Sequence, residues 1–452
     1  MDGYAYAHMI RSGDVFMHHH LLYNALGFGV VKWLNFIGLN PDVLAVMKVV
    51  NALFAVGCLC VLFQILVYLK KTDKEVLALT ALAASCFGLM RFATENENYI
   101  IPIFFSLLGC LYLLFYFENS SKKNILLASL FMAVACLFHQ VHVWWWLAGL
   151  MVLFKKRKTI IFYLLPAVIV PVVYAIVVLS ETGSLSNFFE YVFYDYLHGS
   201  ASIAWAWMDI PLAGISLVRS FVQVHGSMTI QVSHTLLWVL PALVSVGLLF
   251  FAFQGMRKWK FRHDSNIRFF GFVSTAFLLH FGFAELCHGN AEFMVMLPLL
   301  IILALASMIN VPAKNLWFAA SATLVWNLNF GLLPAYLYNY ENKQKQSSFI
   351  HQHPETAFVA NDYWYAWNVY KYIYAKEPSN LYSGIDKGAK PLNPIKWKMI
   401  FTDKCNTPLV LHRKALVDEK PEESAFLQSG YEGVDSIVGY WGVQYIHRIE
   451  RK

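Results

Sequence analysis

Groups able to do proton-transfer and phosphate chemistry crowd the start of the chain: Asp2, Tyr4, Tyr6, His8, Arg11, Asp14 and the run His18, His19, His20. More follow in short islands between apolar stretches. RFATENENY holds Arg91, Glu95 and Glu97; FHQVHVWWW holds His139, Gln140 and His142; CHGNAEF holds His288, Asn290 and Glu292. A long island, 181–229, carries Glu190, Asp195, His198, Trp205, Trp207, Asp209 and His225. A carboxylate can take a proton from an acceptor hydroxyl or amine as general base. A second carboxylate with His can hold a divalent cation or orient the first. Arg can bind a phosphate leaving group. Each island also has a plainer reading: three His as an interfacial turn, Glu95 and Glu97 as a solvated loop, Trp144 to Trp146 and Trp205 with Trp207 as aromatic belts.

The elements between the islands must position these groups, and they are membrane-like. Of 452 residues, 58% are hydrophobic and 14% charged, too little charge for an ordinary soluble domain. Ten apolar spans are predicted, at 43–69, 75–91, 99–117, 125–138, 143–154, 160–180, 230–253, 269–286, 293–309 and 316–334. The fold class is therefore an all-α polytopic membrane protein. Residues 1–42 form a first external loop with an interfacial helix at 21–39, residues 43–334 the multi-span domain, and residues 335–452 a soluble domain.

Lys and Arg sort the loops. Alternate loops carry Lys70, Lys71 and Lys74, then Lys122 and Lys123, then Lys155 to Lys158 with Arg157, then Arg257 to Arg268, then Lys314. The other loops hold almost none, and every island of polar chemistry lies in those. The positive-inside rule makes the basic set cytoplasmic and the islands external. Residues 1–42 and the C-terminal domain are then external too, which leads us to expect one further N-terminal helix upstream of Met1. No cleavable signal peptide is visible. The seven cysteines form no CxxC pair and read as small core residues.

An external face lacks nucleotide sugars and ATP, so a transferase there needs a donor that arrives on a lipid. The order D2-GY4-AYAHMI-R11-S12-G13, then H18-H19-H20-L21-L22-Y23, then an amphipathic helix, resembles the first external loop of GT-C membrane glycosyltransferases of the protein O-mannosyltransferase-like and aminoarabinose-transferase-like group. R91-FATE95-NE97-NY resembles that family's Arg-and-acid segment opening the next span. The motif likeness covers roughly residues 2–180, the rest by layout only; HHHLL replaces the usual proline-rich segment. The resemblance implies Asp2 as general base, with Glu95 or Glu97 supporting it or a divalent cation. It implies donor-phosphate or acceptor contacts at His18, His19 and His20, phosphate partners in Arg91 and Arg11, and cavity-lining roles for His139 and His142. Tyr4, Tyr6 and His288 complete the substrate-binding candidates.

In the C-terminal part, TAFVA at 356–360, KWKMIFTD, TPLVLHRKALVD and SIVGYWGVQYIHRIE read as strands and DYWYAWNVYKYIYA as an amphipathic helix, a small α/β unit without soluble catalytic motifs. The expected activity is transfer of a sugar from a polyprenyl-phosphate-linked donor to a cell-envelope glycan, lipid or protein acceptor, with membrane lipids as partners and no nucleic acid. The alternatives are a lipid-linked polysaccharide polymerase or ligase, disfavoured by the lone Arg219 of its large loop, and a transporter, for which His280 and Glu285 late in a span are the best indication. A lone N-S-S sequon at 119–121, in a cytoplasmic loop, leans the expectation to a bacterial inner membrane.

Overall fold

A computed structural model describes residues 2–154, 156–198, 206–225, 228, 235–255, 259–261, 266–338, 343–352, 354, 357–360, 363–383, 397–401, 431–439 and 442–449. The chain divides into two compact units, Met1–Ser12 with Pro334–Lys452, and Gly13–Leu333. Trp205 and the expected strand at 407–418 lie outside the described residues.

In chain order the helices are α1 (Asp2–Ser12), α2 (Leu21–Phe36), α3 (Val43–Tyr68), α4 (Asp73–Ser85), α5 (Phe87–Phe92), α6 (Ile100–Asn119) and α7 (Lys122–Phe138). Then come α8 (Val143–Leu153), α9 (Arg157–Ala167), α10 (Ile169–Thr182), α11 (Phe188–Val192), α12 (Tyr194–His198), α13 (Asp209–Phe221) and α14 (Val239–Gln254). The remainder are α15 (Ile267–Leu286), α16 (Leu297–Met308), α17 (Ala313–Trp326), α18 (Leu333–Tyr338), α19 (Lys343–Gln352) and α20 (Tyr363–Tyr374). Their starts follow local chemistry. Asp42 accepts from the Ala45 amide at the head of α3, and Asn266 from the Phe269 amide at the head of α15. Thr72 and Glu75 form a reciprocal capping box on α4.

Seven helical stretches are long and apolar enough to cross a membrane: Val43–Tyr68, Ile100–Asn119, Arg157–Thr182, Leu236–Gln254, Ile267–Leu286, Ala291–Met308 and Ala313–Ala335. They match seven of the ten expected spans. Of the other three, those at 125–138 and 143–154 are the shorter helices α7 and α8, and the one at 75–91 is interrupted. The expected span at 75–91 breaks at Cys86, whose backbone is extended (φ −64, ψ 133), into α4 and α5. The carbonyl freed at Ser85 accepts from Asn327 Nδ2 at 2.8 Å, so an Asn in the π-turn Asn327–Leu332 completes the break. Gly331 is needed there, since a Cβ would meet the Phe87 ring at 2.7 Å. Helix α7 stops at His139, also extended, and a 3₁₀ turn (Gln140–His142) leads into the short α8.

The tryptophans of α8 are not a surface belt. Trp145 is 0% exposed, and Trp146 stacks on Tyr163 and donates to Ser129 Oγ. Aromatic surface inside a helix bundle fills volume that a belt would place at the headgroups.

Within residues 13–333 the loops sort to two ends. Lys71 Nζ donates to the Ile309 carbonyl and Asn310 Oδ1, and strands β1 (Lys260–Phe261) and β2 (Ile309–Asn310) pair antiparallel. Lys122 lies over the Phe162 ring and Lys156 over Tyr116. The loops of Lys71, Lys260 and Asn310 thus meet one another, as do those of Lys122 and Lys156, and the polar islands lie at the opposite ends of the helices that carry them.

In the other unit α1 packs on α20. Arg11 donates to the Tyr372 carbonyl at 2.7 Å with its guanidinium 4.1 Å from that ring, and Tyr4 meets Tyr372 edge-on. Strands β3 (Ala357–Ala360), β4 (Leu381–Ser383), β5 (Trp397–Phe401), β6 (Tyr431–Gly439) and β7 (Gly442–Ile449) pair in the order β4-β3-β5-β7-β6. β3 is parallel to β4 and β5, and β7 is antiparallel to β5 and β6. The segment read from sequence as one strand, 436–450, is instead the greater part of the β6–β7 antiparallel pair.

Candidate functional site

The site in residues 13–333 is built on two short irregular segments. The first is 93–99, between α5 and α6. One buried amide holds it: Asn51 Nδ2, on α3, donates to the carbonyls of Glu95 (2.6 Å) and Glu97 (2.7 Å) and approaches Tyr23 Oη at 3.2 Å. Tyr23, on α2, donates to Asn96 Oδ1 at 2.8 Å. With its backbone pinned, the segment presents Glu95 to Arg91, Nε to Oε1 3.1 Å. Arg91 also lies in the field of Glu292 and Glu97. Tyr99 donates to Glu292 Oε2 at 3.0 Å, and its ring sits 5.3 Å from that of His139. The expected trio Arg91, Glu95 and Glu97 is therefore together, with Glu292 and Tyr99 added.

The second segment joins α7 to α8. Gln140 donates through its backbone to the His19 carbonyl (3.2 Å) and through Nε2 to the His18 carbonyl, Tyr174 Oη and the Val192 carbonyl. Tyr174 Oη also donates to the His18 carbonyl. These contacts hold the triple-His turn. His18 stacks on Tyr194 and packs against Tyr191. His19 Nδ1 hydrogen-bonds Asp195 Oδ2. Behind it the rings form a row: His19 to His20 3.8 Å, His20 to His139 4.4 Å, His139 to His142 6.4 Å and His142 to His280 6.2 Å between centroids.

The row runs from solvent into the bundle. His19 and Asp195 are about a quarter exposed, His139 is 1% exposed, and His142 and His280 are 0% exposed. Burial, then the neighbouring His19 charge, drives the His20 and His139 imidazoles well below their usual value, so both are neutral. Burial works to raise the Asp195 carboxyl, but the His19 hydrogen bond and the His19 and His18 charges outweigh it and hold the group below the usual carboxylate range. His142 is held by Ser106 Oγ at Nδ1 (2.7 Å) and His280 by the Phe293 carbonyl at Nε2 (2.8 Å), so both are set deeper than a loop residue would be.

The candidate residues separate cleanly. Arg91, Glu95, Glu97, His18, His19, His20, His139 and His142 form one connected neighbourhood. His288 pairs with the buried Asp209 at 3.3 Å, where a left-handed backbone at His288 and Gly289 lets the loop close against α13. Asp2, Tyr4, Tyr6 and Arg11 belong to the other unit, where Asp2 opens α1, Tyr6 is buried, and Tyr4 and Arg11 are engaged by α20. Sequence reasoning missed Asn51, Tyr23, Tyr99 and the role of Gln140. An Asn or Gln inside or beside an apolar span was the available signal. Among the described residues no three His, Cys, Asp or Glu side chains come together as a metal site.

An apolar groove of about 570 Å³ lies among α7, α8, α10, α11 and α12. Trp144, Pro171, Phe188, Phe193, Tyr196 and Phe283 line it, and Gln140 and Tyr174 are its polar edge. Comparison with protein-family models, with curated proteins and with solved structures found no match.

Proposed function

We propose that this protein is an integral membrane glycosyltransferase that moves a sugar from a polyprenyl-phosphate-linked donor to a cell-envelope glycan, lipid or protein acceptor. The observation that carries the reading is the juxtaposition at one end of the bundle. Gln140, on the edge of an aromatic-walled groove of about 570 Å³, within the range of ligand pockets, also holds the backbone of His18 and His19, and the imidazole row continues through His139 and Tyr99 to Glu292 and Arg91. An amphiphile with a hydrocarbon chain and a charged head fits that combination. Arg91 is the cation available to a phosphate leaving group, and Glu95, Glu97 and Glu292 are the acids that orient it. With the basic loops on the cytoplasmic side, this end faces outward, in a bacterial inner membrane toward the periplasm. Residues 335–452 act there as a small α/β external domain.

A transporter is the second reading, favoured by His142 and His280, which are buried between apolar helices. One experiment separates the two. The protein is reconstituted in proteoliposomes with the lipid-linked sugar fraction of the source cells, and lipids and glycans are followed by mass spectrometry. Wild type consumes one polyprenyl-phosphate sugar and Glu95→Gln does not; transfer names the sugar by mass. Unchanged lipid pools with solute uptake instead would establish transport.

A further inference from the structure

The reading above leaves open which group takes the proton from the acceptor. We infer that His19 is that general base and that Asp195 is its positioning partner. The inference rests on the transferase reading and deepens it.

The geometry has four parts. First, the Asp195 carboxylate holds His19 at Nδ1, which fixes the tautomer and leaves Nε2, on the other edge of the ring, to act as base. Second, the pair is only about a quarter exposed, open enough to meet a substrate and enclosed enough to keep its orientation. Third, the pair is tied to the groove through its chain neighbours. Phe193 and Tyr196, on either side of Asp195 in the chain, both line the groove, and Gln140, which lines it too, donates its amide to the His19 carbonyl. Fourth, the His19 ring nitrogen at the outer end of the row meets a carboxylate. His20 and His139 behind it are held neutral by burial. A positive charge formed on transfer is compensated at His19 by Asp195.

The step balances. His19 Nε2 takes the proton of the acceptor hydroxyl or amine as the acceptor atom bonds to the anomeric carbon. The bond from that carbon to the phosphate oxygen breaks, and its electron pair leaves on the polyprenyl phosphate. The imidazolium, paired with Asp195, returns its proton to water. No oxidant or further reactant is involved.

The test uses full-length protein in proteoliposomes with the lipid-linked sugar fraction of the source cells, reading polyprenyl phosphate released and sugar transferred. His19→Ala is expected to lower kcat by ~10²–10⁴-fold, the usual contribution of a positioned base, and added imidazole is expected to restore part of it. Asp195→Asn is expected to lower kcat with the donor KM unchanged, and Asp195→Glu to recover turnover; a merely structural contact would give neither the split nor the rescue. Because Asp195→Asn keeps the side-chain size, it reads the dyad even where His19→Ala does not fold. Wild-type turnover in His19→Ala, or lost turnover that neither imidazole nor Asp195→Glu restores in folded, donor-binding protein, overturns the assignment while the transferase reading stands. No consumption of any lipid-linked sugar by wild type overturns the transferase reading and the dyad with it.

Discussion

Replacing Asn51 by Leu tests whether one amide positions the acidic segment. Asn51 is 0% exposed and lies on α3, about 12 Å from its first residue at 1.5 Å rise per residue. Its two N–H groups serve the Glu95 and Glu97 carbonyls at 2.6 and 2.7 Å. Leu has the same branched shape with bulkier ends, so no cavity opens, and the loss is polar with some crowding added. A buried carbonyl without a donor costs about 1–3 kcal/mol, which sums to about 2–6 kcal/mol for two. Interhelical hydrogen bonds inside membranes average about 0.6 kcal/mol because the separated helices find other partners, which pulls the figure down. The expected loss is about 2–4 kcal/mol, which at about 2.1 cal/mol/K of unfolding entropy per residue is a fall in Tm of about 2–4 °C for a chain of 452 residues. Tryptophan fluorescence melts in nanodiscs measure it. Tyr23→Phe removes the bond to Asn96 and the oxygen that Asn51 approaches, and is expected to cost about 0.5–1.5 kcal/mol per bond lost. Since Tyr23 Oη also meets Asn51, the two losses are coupled, by about 0.5–3 kcal/mol in a double-mutant cycle. A Tm for Asn51→Leu equal to wild type, or strict additivity with Tyr23→Phe, would refute the reasoning.

Three further outcomes follow from particular contacts. Gly149→Ala places a Cβ 2.2 Å from Tyr163 Oη, which donates to the Trp146 carbonyl; a loss of about 1–3 kcal/mol is expected, partly relieved in Gly149→Ala with Tyr163→Phe, read by the same melts. Because His20 and His139 are neutral in the fold and take protons once unfolded, stability falls as pH drops below the usual imidazole value of 6.5, by about 1.4 kcal/mol per pH unit for each proton. His139→Gln should remove one proton from that slope in melts across pH. The Asp195 contribution is fully present above the usual carboxylate range and is lost only at lower pH, as it falls through the depressed value, so the two limbs separate. Helix α13 buries Asp209, Ser216 and Ser220 and exposes Ile210, Leu212, Ile215 and Val218, so a spin label at Ile215→Cys should be reached by lipid-soluble oxygen more than by a water-soluble nickel reagent; the reverse order would exclude a lipid-facing α13.

Composition and periodicity determined the membrane class and most of the helices, because an apolar run of 20 residues or so has one stable form in hydrocarbon. Charge was equally local: alternate loops carry Lys and Arg, and those loops meet in two groups. The acids and Arg91 were readable as a set because they lie within seven residues of sequence. What chain order could not give was decided by packing. The break at Cys86 depends on Asn327, far along the chain, to satisfy the Ser85 carbonyl. Trp145 is core because a neighbouring helix covers it, which no window of hydropathy contains. Asp2 and Arg11 precede His18 by 16 and 7 residues, yet α1 belongs to the unit with α20, since its aromatic and cationic side chains find their partners there. The pairing of His19 with Asp195, and the row of imidazoles behind it, joins four separate parts of the sequence. Contacts of that kind depend on side-chain geometry between helices, which only the tertiary structure supplies.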